Sequence, residues 1–175
     1  MSLILKSLYY FLPALMANSA PVLFKCVNVL NWPVNEKLFG KNKTWRGLVS
    51  ATLFGTFVFC LQKWAYQFDY FKSLSVIDYS GYTILLGVLL SGGAILGDLI
   101  KSYYKRREGI KPGDNWAPWD QYDFLIGSLS LSSVVYVVSG GVLIILAIFV
   151  PLLHVLTNYL GKEMSFRILF HQLYL

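Results

Sequence analysis

Charged residues are scarce in this sequence of 175 residues: they make up 14% of it, whereas hydrophobic residues make up 56%. Soluble proteins contain about 25% charged residues. So few charges cannot cover the surface of a water-soluble globule, and lipid must therefore form part of the solvent. The composition excludes an ordinary soluble domain, and the length suits a single domain.

Cysteine and histidine are nearly absent, with two residues of each. Cys26 and Cys60 belong to no CxxC pattern and have no histidine at metal-ligand spacing, so neither a thiolate metal site nor a redox motif is indicated. His154 and His171 are isolated as well. We expect His154, which lies in an apolar run, to be a packed or interfacial side chain rather than a ligand.

Five apolar runs predict an all-α integral membrane protein, because a span needs about 20 mostly apolar residues. The whole chain, residues 1–175, is expected to form one membrane domain. Pro13, Asn18 and Pro21 lie within the first run, which predicts a kinked helix with Asn18 turned towards other helices. Asn18 either belongs to a site or simply bonds to a neighbouring helix. The five spans are expected at residues 3–24, 48–66, 82–99, 124–138 and 141–160.

The basic residues are distributed unequally between the two sides of this arrangement. The loops 25–47 and 100–123 share one side with the segment after residue 160, and twelve of the fifteen Lys and Arg residues lie there. The other side has Lys6, Lys63 and Lys72. The positive-inside rule makes both loops cytoplasmic, with the N-terminus outside and the C-terminus in the cytoplasm. This predicts a multi-pass protein of the cell membrane with its site on the cytoplasmic face.

Charge is concentrated between Gly97 and Asp123, a stretch with five of the nine acidic and five of the fifteen basic residues. If the third span continues as a helix, four polar residues stand at i, i+3, i+4 and i+7 on one face. Two further carboxylates, spaced i and i+3, open the fourth span. The first set is Asp98, Lys101, Ser102 and Lys105, and the second is Asp120 and Asp123.

Three carboxylates at one membrane face, beside a basic cluster, fit the binding of Mg²⁺ with a polyphosphate. Mg²⁺ takes one or two carboxylates together with phosphate oxygens and keeps several waters. The basic residues neutralise phosphate charge during a transfer. We therefore assign Asp98, Asp120 and Asp123 as candidate metal ligands and catalytic groups, together with Lys105 as a catalytic group.

Each part of this pattern also has a purely structural interpretation. Asp98 and Lys105 are at a spacing that allows an ion pair on a helix. Asp120 and Asp123 suit the N-cap and first turn of a helix. The run Lys105-Arg106-Arg107 suits a topology anchor. All three structural interpretations would have to hold within one loop. The sequence therefore favours a functional site over three separate structural roles.

The motifs resemble those of the CDP-archaeol synthase family. The resemblance rests on G-D-L-I-K-S-Y-Y-K-R-R-E-G-I-K-P-G from Gly97, followed by W-x-P-W-D-Q-Y-D up to Asp123. Ala17-Asn18 with Pro21, and Lys43-Thr44-Trp45-Arg46-Gly47, resemble the same family. A more distant similarity joins the chain to CDP-diacylglycerol synthases. It departs from them where Pro112 follows Lys111 and where no His-Gly-Gly occurs.

The resemblance implies an enzyme that transfers CMP from CTP to a lipid phosphate, giving a CDP-lipid and pyrophosphate, with Mg²⁺ as cofactor. It implies that Asp98, Asp120 and Asp123 hold the metal. The implied substrate-binding residues are Asn18, Lys43, Thr44, Arg46, Lys101, Ser102, Arg106 and Lys111. Lys105 joins Arg106 and Lys111 in gripping phosphates, while Lys43, Thr44 and Arg46 close the nucleotide pocket.

Two alternatives stay open at this point. The first is that the chain is a cytidylyltransferase of the same kind that acts on phosphatidic acid instead of an isoprenoid ether lipid phosphate. A small transporter or an anionic-lipid-binding scaffold is a different class, but a transporter is expected to place ionisable groups near the middle of the bilayer. In this sequence Asn18 is the single polar candidate there, and the acids lie at the interface. The bilayer is an expected partner and nucleic acid is not.

Overall fold

The computed structural model describes residues 1–111 and 114–173, with the backbone alone at position 158 and at positions 160–173. Its described part is helical, with one isolated bridge between Pro33 and Thr44 and no strand. This confirms the all-α prediction. The helices are α1 (Leu3–Leu23), α2 (Glu36–Phe39), α3 (Trp45–Ala65), α4 (Asp69–Leu74), α5 (Leu85–Arg107), α6 (Trp119–Ser132) and α7 (Gly140–Leu173).

Three of the described helices are long and apolar enough to cross a membrane, namely α3, α5 and the part Gly140–Thr157 of α7. Helix α1 is as long as α3, with 21 residues, but it carries polar side chains and two prolines. Helix α6 has 14 residues, which span about 21 Å at 1.5 Å per residue and fall short of a hydrocarbon core of about 30 Å.

The fourth apolar run is helical over a different range from the expected one. The helix begins at Trp119, five residues before the predicted span, and ends at Ser132 rather than at residue 138. Ser132 and Ser133 donate their hydroxyl protons to the carbonyl oxygens of Leu129 and Ser130, which competes with helix continuation. The valine-rich residues that follow favour extended backbone. The connection to α7 therefore covers residues 133–139, whereas the predicted spans left two residues between them.

Both predicted polar loops contain helix. Helix α5 extends through Asp98 to Arg107, as the spacing of its polar residues predicts. In the first loop, Asn35 caps α2, and Thr44 caps α3 by accepting a hydrogen bond of 3.2 Å from the Gly47 N–H. The cap fixes the start of α3 three residues ahead of the predicted span.

Helices α5 and α6 approach each other almost to backbone contact. A Cβ atom built at Gly97 would collide with the carbonyl oxygen of Asp123, and one at Gly93 would meet the backbone of Gly127. Gly127 is equally close to α5 from the opposite side. These small residues let the two backbones touch, and Gly93 and Gly97 have the Gly-x-x-x-Gly spacing that is common at such crossings. The close crossing places the acidic end of α5 beside the acidic start of α6.

Helix α1 fills the other side of α5 and forms the core with α3. Its buried side chains include Tyr10, Phe11, Ala14 and Ala17, each at most 1% exposed. Gly55 of α3 leaves space for Ser91 of α5 and for the backbone of α1 at Pro13. These contacts hold α1, α3 and α5 together.

Candidate functional site

A polar cavity of about 470 Å³ opens where α1, α5, α6 and α7 meet. Charged and amide side chains dominate its wall. Asn18 is part of this wall, and three carboxylates and two lysines from the predicted set are also there. The lining residues are Asn18, Asp98, Lys101, Lys105, Asp114, Asn115, Asp120, Gln121, Asp123, His154, Val155 and Tyr159.

The three predicted carboxylates converge on the ammonium group of Lys101. Its Nζ lies 3.1 Å from Asp98 Oδ1, 3.1 Å from Asp120 Oδ1 and 2.7 Å from Asp123 Oδ2. The Asp123 side chain is 5% exposed, and those of Lys101 and Asp120 are each 14% exposed. With most water removed, these attractions are stronger than they would be on an open surface.

Lys105 ties the second half of the site together. Its Nζ lies 3.0 and 3.1 Å from the two carboxylate oxygens of Asp120 and also donates to the carbonyl oxygen of Asp114. The backbone N–H of Trp116 donates to Asp120 as well. The buried lysine thus fixes the segment before α6 against α5, and it also lines the polar cavity.

The Asp120 carboxyl precedes the apolar part of α6. Partial burial raises its pKa. The hydrogen bonds from the Trp116 N–H and from Lys105, together with the charge of Lys101, lower the pKa by more than burial raises it. The net result is a pKa below the ordinary value for aspartate. Asp120 is therefore a charged carboxylate at neutral pH, suited to pairing with cations.

The first loop reaches the same site through Lys43. The Lys43 ammonium forms an ion pair and hydrogen bond with Oδ2 of Asp98. A small cavity of about 60 Å³ lies beside this pair, with Lys43 and Thr44 on one wall and Asp98 on the other. The structure therefore brings together the two loops that the distribution of basic residues placed on one side.

Arg46 points elsewhere. Its Nη1 donates to the carbonyl oxygens of Lys25 and Val27, each at 3.0 Å. The backbone N–H of Arg46 bonds to the Leu30 carbonyl oxygen at 2.7 Å. The side chain braces the segment after α1, and it does not line the polar cavity.

Three other predicted binding residues also lie off the cavity wall. The Ser102 hydroxyl donates to the Asp98 carbonyl oxygen at 2.7 Å within α5 and is buried. Arg106, half-buried, and Lys111, exposed, follow along the same stretch but do not line the cavity. Because Arg106 is one residue beyond Lys105, the helix turns it about 100° away from the face that carries Lys101.

Six of the lining residues were not predicted as site residues. Asp114, Asn115 and Gln121 lie within the charge-rich stretch, where their polarity was the available signal. His154, Val155 and Tyr159 come from α7, which reads as a plain apolar span. His154 packs against the ring of Phe124, with centroids 5.8 Å apart, and also faces the cavity. This confirms the packing expected of a packed or interfacial histidine, and the position on the cavity wall is additional.

An apolar groove of about 630 Å³ runs along the crossing of α5 and α6. Its wall is formed by large side chains that are about half exposed, such as Ile100, Trp119 and Ile126. Lys101 and Asp123 line both this groove and the polar cavity. The groove is lined by Leu96, Gly97, Ile100, Lys101, Tyr104, Trp116, Trp119, Asp123, Ile126, Gly127, Ser130 and Leu131.

The chemistry of the carboxylate cluster suits a hard cation. Oxygens of Asp98, Asp120 and Asp123 already surround one positive group within 3.1 Å. Carboxylate oxygens are the ligands that Mg²⁺ uses. In the described part of the chain, no three acidic, histidine or cysteine side chains stand close enough together to hold a metal ion as arranged. The position between the three carboxylates is taken by the Lys101 ammonium.

Apolar helices of membrane length, with a charged cavity and an apolar groove at one helix crossing, define a helical membrane protein with an internal polar site. The family model of CarS-like CDP-archaeol synthases matches residues 1–170. The CDP-archaeol synthase of Pyrococcus furiosus is 34% identical over 168 residues, covering 94% of this chain and 96% of the relative. That of Methanocaldococcus jannaschii is 32% identical over 173 residues, covering 94% and 96%.

A solved structure of an intramembrane enzyme for archaeal membrane lipid biosynthesis is also similar. It has 28% sequence identity and a TM-score of 0.71, and the match covers 89% of this chain and 94% of the other. The chain belongs to the CDP-archaeol synthase family. This confirms the family and the enzyme class predicted from the sequence motifs.

Proposed function

We propose that this enzyme transfers CMP from CTP to an isoprenoid ether lipid phosphate, giving a CDP-lipid of the CDP-archaeol type and pyrophosphate. The observation that carries the proposal is the meeting of two different cavities at Lys101 and Asp123. A polar cavity suits a nucleoside triphosphate, and an apolar groove suits lipid chains. A lipid phosphate lying between them has its head group at the charged cluster.

The transfer requires one bond to form and one to break. An oxygen of the lipid phosphate attacks the α-phosphorus of CTP, and the bond from this phosphorus to the oxygen bridging to the β-phosphate breaks, releasing pyrophosphate. The phosphate is already an anionic nucleophile, so no side chain has to remove a proton from it. Positioning and charge neutralisation by Lys43, Lys101 and Lys105 are then the main contributions of the protein.

We further propose that Asp98, Asp120 and Asp123 hold Mg²⁺. When bound, the ion neutralises charge on the triphosphate and on the departing pyrophosphate. Asp98 is carried by α5 and the other two by α6, and the glycine-mediated crossing sets their separation. Arg106 and Lys111 follow the site on the same stretch and are proposed to attract the phosphates to its entrance.

The proposed topology has five crossings, by α1, α3, α5, α6 with the segment after it, and α7. The N-terminus is outside, and the loops 25–47 and 100–123 face the cytoplasm. The contact between Lys43 and Asp98 supports placing both loops on one side. The side chains of Lys162 and Arg167, which contribute to the charge count, lie outside the described residues.

The proposal is tested by incubating the purified chain with CTP labelled in its α-phosphate and with a panel of lipid phosphates. We expect Mg²⁺-dependent labelling of a diether isoprenoid acceptor and a loss of at least a hundredfold when the ion is chelated. Preference for phosphatidic acid would assign the diacyl reaction instead. No labelled CDP-lipid with any acceptor would contradict the enzyme reaction and favour a transporter or lipid-binding scaffold.

A further inference from the structure

The three carboxylates of the site are matched by three lysines, but the lysines are not equivalent. Lys43 contacts Asp98, and Lys105 contacts Asp120. Lys101 contacts both of these acids and Asp123 too. Among the described residues, Lys101 is thus the one cation shared by the whole carboxylate set. Lys43 and Lys105 each form an ion pair with a single carboxylate of the set.

The Lys101 ammonium is fully engaged where it lies. An ammonium group has three N–H donors, and three carboxylate oxygens lie within 3.1 Å of Nζ. A divalent ion takes carboxylate oxygens at about 2.0–2.1 Å. It would have to use the same converging oxygens, and two cations at such separations repel each other strongly. The ammonium must therefore leave before a divalent ion can enter.

The surroundings of Lys101 give its ammonium a place to go. Its side chain borders both the polar cavity and the apolar groove. Its four-carbon stem is flexible, so the charge can move while the residue stays on α5. A phosphate group in the cavity would offer acceptor oxygens in place of the carboxylates. Lys105 is less free to make such a move, because it also binds the backbone carbonyl of Asp114.

We propose that Lys101 is a positioning residue that acts as an exchangeable internal counter-ion. Its ammonium holds the three carboxylates together until a divalent cation and a phosphate-bearing ligand arrive, and then transfers to the phosphate. This inference rests on the proposed function. Its consequence is that the divalent ion binds weakly alone and tightly together with a polyphosphate, since the phosphate receives the displaced ammonium.

The test is the affinity for Mn²⁺ alone, measured on the purified full chain in detergent from the paramagnetic resonance signal of the free ion. Lys101→Met removes the competing charge and keeps an unbranched apolar side chain that is one atom shorter. We expect it to bind Mn²⁺ at least tenfold more tightly than the unmodified chain, and Lys101→Arg to bind no more tightly. Lys37→Met is the matched control for a lost positive charge, because Lys37 is exposed on α2.

Unchanged or weaker Mn²⁺ binding by Lys101→Met would overturn the inference. A purely structural role predicts that outcome, because loss of the lysine would simply loosen the site. If the Lys101→Met variant does not fold, the reactivity of Lys101 in the unmodified chain provides the test. Acetylation, quantified by peptide mass spectrometry, is expected to rise at least threefold when Mn²⁺ is added without nucleotide, and unchanged acetylation would overturn the inference.

The two proposals fail in different ways. If the chain forms CDP-lipid from CTP but Lys101→Met gains no affinity for Mn²⁺, the counter-ion role is wrong and the proposed reaction stands. If no CDP-lipid forms with any acceptor, the proposed reaction itself is wrong, whatever the affinity for Mn²⁺.

Discussion

Asp123→Asn is expected to lower the rate of CMP transfer about a thousandfold, which corresponds to about 4 kcal/mol of transition-state stabilisation. Asp123 borders both the polar cavity and the apolar groove, and its carboxylate lies 2.7 Å from the Lys101 ammonium. The amide keeps the shape of the side chain but removes the negative charge. The measurement is the single-turnover rate with saturating CTP and Mg²⁺.

The same substitution at Asp78 is the control. Asp78 lies in the connection between α4 and α5, where its carboxylate accepts hydrogen bonds from the backbone and hydroxyl of Ser80. Asp78→Asn is expected to change the rate less than twofold. Asp98→Asn and Asp120→Asn should resemble Asp123→Asn. Near-normal turnover in all three would contradict the assignment of these carboxylates to the reaction.

Gly97→Ala is expected to cost at least a hundredfold in activity and to lower the melting temperature. The added methyl group would meet the Asp123 carbonyl oxygen, which is rigid backbone, so α6 has to move away from α5. Overpacking of this kind costs about 1–3 kcal/mol. A misplacement of about 1 Å at reacting groups costs about a hundredfold in rate. Activity and thermal unfolding in detergent measure the two effects separately.

Gly92→Ala provides a matched control on the same helix. A Cβ atom at Gly92 would have no heavy atom within 4 Å, so the methyl group finds free space. We expect activity within twofold of the unmodified chain and no loss of thermal stability. Equal behaviour of the two alanine variants would show that the close approach of α5 and α6 does not position the carboxylates.

The local part of the site could be predicted because it depends on helix periodicity. Asp98, Lys101 and Lys105 share one face of α5 through their spacing alone. The i and i+3 spacing of Asp120 and Asp123 likewise places both carboxylates at the start of α6. The contact of Lys43 with Asp98 spans 55 positions in the sequence. Its loop was placed on the same side by charge counting, but the contact itself depends on tertiary packing.

Other features had no local signal that could reveal them. The direction of the Arg46 side chain follows from where Thr44 caps α3 and from the carbonyl groups of the segment after α1. His154 reaches the cavity because α7 packs against α6, and a lone histidine in an apolar run does not indicate this. The convergence of three acids on Lys101 required the α5–α6 crossing, which a GxxxG spacing suggests without giving its partner helix.

The most direct test of the account is the position of Mn²⁺ in a crystal of the full chain grown with CTP, located by its anomalous scattering. The account predicts a peak within coordinating distance of at least two of the carboxylates of Asp98, Asp120 and Asp123, with the triphosphate in the polar cavity. A nucleotide bound elsewhere, or a metal peak with none of these carboxylates as ligands, would contradict it.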